Sequence, residues 1–265
     1  MTPTKICATC GTYYLSESAT PNGICPICAD DRQYIPAGGQ RWTTEAALLD
    51  KHSVKVRLLR DDVYELEITP SFAIGQRALL ILTPEGNILW DCIPLLDESL
   101  ITFIKEKGGL KAIAFSHPHY YSNMHDWART FDCPVYIHKL DEQWVFGKGE
   151  HVKYWEGEEL QLFNGIRLIN AGGHFPGSSI LHVPHLSAKG VLFTGDTLVL
   201  SLHKQHISVM YSYPNRVPLP RKEVQRIGDL VNKISFDALY SYMKDLDLTE
   251  NVKEIFRRSM DRYLA

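Results

Sequence analysis

The chain has 265 residues, of which 45% are hydrophobic, and its formal net charge at pH 7 is −3. This length and apolar content allow a large buried core, either one α/β domain or two smaller domains. The sequence has no basic surplus and no apolar run of membrane-spanning length. We therefore expect a cytoplasmic protein with no nucleic-acid partner and no membrane association, and the oligomeric state is not predicted.

Residues 1–35 contain two CxxC pairs, Cys7 with Cys10 and Cys25 with Cys28. In a reducing compartment this spacing is typical of metal thiolates rather than disulfides. Four thiolates can surround one Zn²⁺, and a segment this short cannot fold on apolar burial alone. The pattern resembles a zinc ribbon or a rubredoxin-type knuckle pair. It predicts a structural zinc site, although a four-cysteine site also holds iron.

A linker and a short helix are predicted over residues 36–53. Pro36 and Gly38 interrupt regular structure at the start of this segment. Thr43 or Thr44 is then expected to cap a helix that extends to about residue 49. Residues 54–265 are predicted to form the main domain.

In that domain, apolar residues first alternate with polar ones at strand period, and helical patterns then separate the strands. Strands are predicted at 54–59, 63–68, 78–82, 87–90, 112–115, 135–137, 166–171, 191–194 and 236–240. Helices are predicted at 97–107, 123–131, 221–233 and 248–264. This order favours an α/β sandwich with helices outside two sheets.

Two histidines one residue apart, His117 and His119, follow the apolar strand at 112–115. Side chains two residues apart on an extended segment point the same way, and Pro118 between them stiffens the pair. Two imidazoles presented in this way can bind one metal ion. The pair alone is weak evidence, because eleven histidines are scattered through the chain.

Three further polar residues end other predicted strands. His174 lies in a glycine-rich loop after the strand at 166–171, and Asp196 follows a buried strand and Gly195. Asp91 ends an earlier strand. A sheet protein that repeatedly ends its strands in histidine or aspartate places metal ligands at one edge. We therefore expect these residues to lie together.

In chain order, Asp91 and the motifs HPHYYS, GGHFPGSS and FTGD resemble the metallo-β-lactamase superfamily over about residues 54–245. The resemblance implies an αββα sandwich of the metallo-β-lactamase type. It implies that Asp91 orients the metal ligands from outside the coordination shell. The residues that it assigns to an active-site metal are His117, His119, His174 and Asp196.

The sequence departs from that family where a second metal would bind. The family motif HxHxDH has aspartate and histidine at the positions of Tyr121 and Ser122, and no histidine follows His206. A one-metal site is therefore predicted, unless His125, His203 or His206 restores the second. We expect Ser122 to cap the next helix, and Tyr121, if it faces the metal, to donate a hydrogen bond to a developing oxyanion.

Three neutral imidazoles leave a tetrahedral Zn²⁺ one position for a water, whose pKa falls to about 7. Asp196 would either ligate the metal or act as the general base, and both roles stay open. The favoured function is a hydrolase of a small-molecule ester, thioester, lactone or similar substrate. One alternative is a mononuclear Fe(II) oxygenase of the persulfide dioxygenase type, with His117, His174 and Asp196 as ligands. Another is a catalytically degenerate binding or scaffold protein.

An aromatic-walled cleft is predicted around residues 203–220, which are rich in tyrosine, methionine and proline. Arg216 is the cation there that we expect to bind a substrate carboxylate. Further aromatic residues expected in this cleft are Tyr120, Tyr121, Phe175, Tyr240 and Tyr242. The alternative is that these are ordinary core residues. The C-terminal arginines Arg257, Arg258 and Arg262 alternate with acidic residues and predict a solvated helix face.

Overall fold

A computed structural model of the chain describes residues 5–15, 20–147 and 149–265. The chain divides into two compact units, Met1–Ile137 with Glu142–Tyr154 and His138–Asp141 with Trp155–Ala265. Residues 1–4 and 16–19 of the predicted four-cysteine module lie outside the described residues. Across the described ranges, no helix has the length and apolar character needed to cross a membrane.

The first unit begins with a small antiparallel sheet and two short helices. Its strands are β1 (Lys5–Cys7), β2 (Tyr13–Tyr14) and β3 (Trp42–Thr43), and β1 lies between the other two. The helices are α1 (Pro26–Ala29) and α2 (Glu45–Lys51). The hydroxyl of Thr44 accepts from the amide of Ala47 at 3.3 Å, so the predicted helix cap is confirmed. The predicted linker thus also supplies β3 to the cysteine-rich segment.

The second sheet of this unit has seven strands. In chain order these are β4 (Ser53–Arg60), β5 (Val63–Thr69), β6 (Arg77–Ile81), β7 (Ile88–Trp90), β8 (Ala112–Ala114), β9 (Val135–His138) and β10 (Val152–Trp155). Neighbours in sequence are neighbours in this sheet. Strands β4 to β7 pair antiparallel, whereas β7, β8 and β9 are parallel and are connected by α3 (Glu98–Glu106) and α4 (Met124–Phe131). Parallel strands of this kind are buried and apolar, and their carboxyl ends share one edge.

The second unit contains a six-stranded sheet, a separate hairpin and two helices. Its strands are β11 (Glu159–Gln161), β12 (Arg167–Asn170), β13 (Ser179–Val183), β14 (Val191–Phe193), β15 (Leu198–Leu200), β16 (Ile207–Val209), β17 (Ala238–Tyr240) and β18 (Asp247–Leu248). The sheet order is β11-β12-β13-β14-β17-β18, and β15 pairs only with β16. Helices α5 (Arg221–Asn232) and α6 (Val252–Leu264) contribute Ile227 and Phe256 to the core of this unit.

A charged side chain is fully buried in the first sheet. The Glu65 side chain on β5 has no exposed surface, and its carboxylate lies 2.6 Å from Nη1 of Arg77. Nη2 of Arg57 lies 2.8 Å from the other carboxylate oxygen. A buried carboxylate is tolerated only when cations and hydrogen-bond donors compensate for its lost hydration.

Replacing Arg77 with alanine should lower the free energy of unfolding by about 3 kcal/mol, because Glu65 would stay buried with half of its compensation removed. Arg167→Ala is the matched control, since it breaks the exposed pair of Arg167 and Glu159 and should cost less than about 1 kcal/mol. Urea denaturation measures both changes. Equal losses in the two variants would contradict the stabilising role of the buried pair.

Candidate functional site

The four cysteines of the N-terminal segment lie together and are all buried. Their sulfur atoms lie within 4.8 Å of one another. The sulfur atoms of Cys7 and Cys28 are 3.7 Å apart, and those of Cys10 and Cys25 are 3.6 Å apart. At these separations the cysteines are not disulfide-bonded, and a tetrahedral zinc with bonds of about 2.3 Å places its sulfur ligands about 3.8 Å apart.

Polar and aromatic side chains surround this four-cysteine cluster. The hydroxyl of Tyr14 lies 3.0 Å from the sulfur of Cys25, and Nε2 of Gln40 donates to the sulfur of Cys7 at 3.2 Å. Such donors stabilise thiolates, the form in which cysteine binds metal. The aromatic residues packed into or against the cluster are Tyr14, Trp42, Trp144 and Phe146. They supply an apolar shell that the short segment itself lacks.

The cluster is connected to the rest of the first unit at Ser122. Nε2 of Gln76 donates to the carbonyl oxygen of Cys10 at 3.3 Å and to the hydroxyl of Ser122 at 3.1 Å. The amide of Tyr13 donates to the carbonyl oxygen of Ser122 at 3.3 Å. The hydroxyl of Tyr13 donates to the carbonyl oxygen of Pro94 at 3.1 Å. The four-cysteine cluster therefore contacts the position at which the family motif has its final histidine.

His117 and His119 are both buried, beyond the carboxyl end of β8. His117 is extended, but Pro118–Tyr120 form a 3-10 turn, so the predicted extended arrangement of the pair is wrong. The turn nevertheless brings the two imidazole rings to a centroid distance of 5.0 Å, at an interplanar angle of 80°. Proline favours this turn because its fixed φ suits the first helical position.

Asp91 reaches His117 through Ser116. The Ser116 amide donates to Oδ1 of Asp91 at 2.7 Å, and its hydroxyl lies 2.8 Å from both Oδ2 of Asp91 and Nδ1 of His117. Burial raises the pKa of Asp91 to about 7, while the hydrogen bonds from Ser116 lower it. Above a pH of about 7, Asp91 is ionised and only accepts, so the Ser116 hydroxyl donates to it and Nδ1–H of His117 donates to Ser116. The lone pair of this imidazole is then on Nε2.

His174 lies in a tight loop between β12 and β13. Gly173 has a φ of +83°, in the left-handed region that favours glycine. The amide of Gly177 donates to Oδ1 of the fully buried Asp141 at 2.8 Å. Nδ1 of His174 donates to the carbonyl oxygen of Tyr211. This second histidine therefore also has Nδ1 bonded to an oxygen and its lone pair on Nε2.

Asp196 is buried in the turn that follows β14. Its Oδ2 lies 3.7 Å from Nε2 of His174. In the neutral ring this nitrogen and the carboxylate oxygen both carry lone pairs, so they repel unless a cation lies between them or the ring gains a proton. The donor set of imidazole nitrogen and carboxylate oxygen fits zinc or iron.

The three histidines considered for a second metal site lie elsewhere. His125 is in α4, where its Nε2 is 3.0 Å from the carbonyl oxygen of Phe146, and burial lowers its pKa. His203 and His206 lie in the loop between β15 and β16. In the part of the chain that the structure describes, none of the three belongs to a group of three or more potential metal ligands.

The predicted helix cap at Ser122 is wrong. Helix α4 begins at Met124, its N-cap residue is Asn123, and Ser122 has a φ of +40°. Its hydroxyl accepts from Gln76 instead. Tyr121 is buried and its ring centroid lies 5.0 Å from that of Phe115. The role of Tyr121 as an oxyanion donor stays a prediction.

The predicted aromatic cleft is correct for Tyr213 and Tyr242, which line a cavity, but not for the other aromatic residues named with it. Tyr120, Phe175 and Tyr240 are buried core residues. Tyr242 lines a cavity in the second unit together with Tyr213. Arg216 is exposed and does not line that cavity.

Three residues that position these side chains were not found by sequence reasoning. Ser116 connects Asp91 to His117, and its place directly before the HPH motif was a usable signal. Asp141 and the Tyr211 carbonyl support the His174 loop from distant positions in the sequence. No local pattern marks either of them.

The sequence model of the metallo-β-lactamase superfamily matches residues 73–219 of this chain. A protein of Bacillus subtilis (strain 168), named uncharacterized protein YmaE, is 41% identical over 265 residues, which cover 99% of this chain and 96% of that protein. The chain belongs to the metallo-β-lactamase superfamily, as the order of its motifs predicted.

Solved metallo-β-lactamase structures share the fold at low sequence identity. DIM-1 has a TM-score of 0.57 at 12% identity, over 79% of this chain and 97% of that chain. FIM-1 from Pseudomonas aeruginosa, in its mono-zinc form, has a TM-score of 0.56 at 13% identity, over 79% and 95%. A B3 enzyme described as having an active-site glutamic acid has a TM-score of 0.54 at 16% identity, over 89% and 97%. The predicted metallo-β-lactamase-type α/β fold is confirmed.

Gly177→Ala should destabilise the His174 loop, because the added methyl group would lie 2.6 Å from the carboxyl carbon of Asp141. We expect the free energy of unfolding to fall by about 1–3 kcal/mol. Gly38→Ala is the control, since an added methyl group there meets no atom within 4 Å and the change should stay within about 1 kcal/mol. Chemical denaturation measures both. A neutral Gly177→Ala would show that the loop is not held against Asp141.

Proposed function

We propose that this chain is a metal-dependent hydrolase of a small ester, thioester, lactone or similar substrate, with one metal ion held by His117, His119, His174 and Asp196. The observation that supports it is the orientation of two buried imidazoles. In His117 and in His174, Nδ1 donates to an oxygen atom, so the lone pair is on Nε2. Metal-ligating histidines are typically oriented in this way by a second hydrogen bond.

Zinc, when bound by these residues, would lower the pKa of a coordinated water to about 7 and so provide a nucleophile near neutral pH. The chain's own residues have three tasks. Ser116 and Asp91 hold His117 in the ligating tautomer, and Tyr211 does the same for His174. Asp196 is the carboxylate positioned either to complete the ligand set or to accept the proton of the attacking water.

Tyr121 and Ser122 occupy the positions of the family's ligands for a second metal ion, and their side chains favour a site with a single metal ion. Tyr121 packs against Phe115, and Ser122 is held by Gln76, so neither position offers the carboxylate or imidazole of the family motif. FIM-1, which shares this fold, is described in a mono-zinc form, so the fold is compatible with one zinc ion.

We also propose that the four-cysteine cluster holds a structural zinc ion. The distances of 3.6 Å and 3.7 Å between its sulfur atoms are close to those of a tetrahedral thiolate site. All four ligands come from the protein, so no position remains for water or substrate.

The purified chain should contain two zinc ions, measured by elemental analysis. His119→Ala should remove one and should abolish hydrolysis of a panel of thioesters, esters and lactones. Cys25→Ser should remove the other. His185→Ala, which changes an exposed histidine in the second unit, is the control and should keep both ions.

Two results would contradict this assignment in different ways. One zinc per chain that is lost in Cys25→Ser but unaffected by His119→Ala would favour a binding protein without an active-site metal. Iron that is lost in His174→Ala would favour the oxygenase.

Ser116→Ala should weaken zinc binding at the active site by about 10- to 100-fold, because it breaks the connection between Asp91 and His117. Titration with a competing chelator measures the affinity. Ser99→Ala is the control, since it removes a serine hydroxyl that lies 2.7 Å from Asp97 on an exposed helix end. Identical zinc affinities for Ser116→Ala and the unmodified chain would show that Asp91 does not act through Ser116.

A further inference from the structure

The second unit contains a cavity of about 760 Å³ beside the β15–β16 hairpin. Its apolar side is formed by Leu200, Ile207 and Met210. The rings of Tyr213 and Tyr242, which also line it, are 5.7 Å apart and nearly perpendicular. The volume and the aromatic lining are typical of sites for small organic ligands.

This cavity lies beside residues that the proposed function uses. β15 begins two residues after Asp196, and Met210 directly precedes Tyr211. The carbonyl oxygen of Tyr211 accepts from His174. Burial, and then the charge of Asp196, raise the pKa of Tyr242, another cavity residue. The cavity therefore shares segments of the chain with Asp196 and with the carbonyl that His174 donates to, although His174 and Asp196 do not line it.

One end of the cavity is positively charged. Nη1 of Arg262 lies 3.5 Å from Nε2 of His206, and both side chains line the cavity. Arginine only donates, so this imidazole accepts from it and stays neutral. Loss of hydration and the positive charges of Arg262, His203 and Arg258 lower the pKa of His206. Among the described residues, no carboxylate lies within ion-pair distance of Arg262.

We infer that this cavity binds an organic carboxylate, with its apolar or aromatic body against Leu200, Met210 and Tyr242 and its carboxylate on Arg262. Arginine suits this role because its planar group can form two parallel hydrogen bonds to a carboxylate. One arginine beside the neutral imidazole of His206 matches a single negative charge better than a polyphosphate. Identifying this carboxylate as the substrate of the hydrolase rests on the proposed function. The binding of a carboxylate in the cavity does not depend on that function.

The assignment replaces one expectation from the sequence and extends another. Arg216 is not at the cavity, whereas Arg262, exposed as expected for a solvated helix face, also lines it. The reason is that α6 presents Arg262 and Tyr263 to the hairpin, where the hydroxyl of Tyr263 lies 2.5 Å from that of Ser208.

The test is isothermal titration calorimetry with 4-phenylbutyrate and its neutral amide as probes. A carboxylate can also bind a metal directly, so the titrations are done with the full chain carrying His119→Ala, which retains the four cysteines. We expect saturable binding of the acid and at least tenfold weaker binding of the amide. Adding Arg262→Ala should weaken acid binding at least tenfold. Adding Arg257→Ala, which changes an exposed arginine of the same helix outside the cavity, should change it less than twofold.

Three results would overturn the inference: no saturable binding of the acid, equal binding of the acid and the amide, or equal effects of the two arginine variants. None of them depends on whether the active-site metal is present. Failure of the hydrolase proposal would instead appear as unchanged metal content in the His119→Ala chain. The two proposals can therefore fail separately.

Discussion

A buried imidazole can serve as a metal ligand only if one ring nitrogen keeps its lone pair, and this requirement governs the site. The chain meets it with oxygen acceptors at Nδ1: a serine hydroxyl backed by Asp91 for His117, and the carbonyl of Tyr211 for His174. Ser116 directly precedes His117, whereas Asp91 and the carbonyl of Tyr211 come from parts of the chain that are distant in sequence from the histidines. In each unit the surrounding strands and loops fix the orientation of one of these rings, that of His117 in the first unit and that of His174 in the second.

The four-cysteine cluster is connected to the segments of the first unit that carry Asp91 and His117. Four cysteines give this short segment a buried cluster that could hold a metal ion. Tyr13 and the carbonyl of Cys10 extend its contacts to Ser122 through backbone and Gln76 hydrogen bonds. Because Pro94 follows closely after Asp91, the contact between Tyr13 and Pro94 also places the cluster near the carboxylate that supports His117. The cysteine-rich segment therefore contacts both the segment that follows Asp91 and the segment that follows His119.

Much of the fold was predictable because local patterns and tertiary packing agree. The capped helix at Thr44, the early hairpins and the motif order of Asp91, His117, His174 and Asp196 are all local signals. The failures have a common physical cause. Ser122 was expected to cap a helix from its residue type, yet its hydrogen-bond partner is Gln76, 46 residues away. The role of Arg262 depends on where α6 meets the β15–β16 hairpin, which no periodicity reveals.

The left-handed backbone at Ser122 also limits which side chains this position can hold. Replacing Tyr121 and Ser122 by the aspartate and histidine of the family motif would restore the ligand types but not their placement, since Ser122 has a φ of +40° and is bonded to Gln76 and Tyr13. A histidine there would lose the hydroxyl bonded to Gln76 and stay in a strained conformation. The hydrogen bonds of Ser122 with Gln76 and Tyr13 thus connect the cysteine-rich segment to the position at which the family motif has its final histidine.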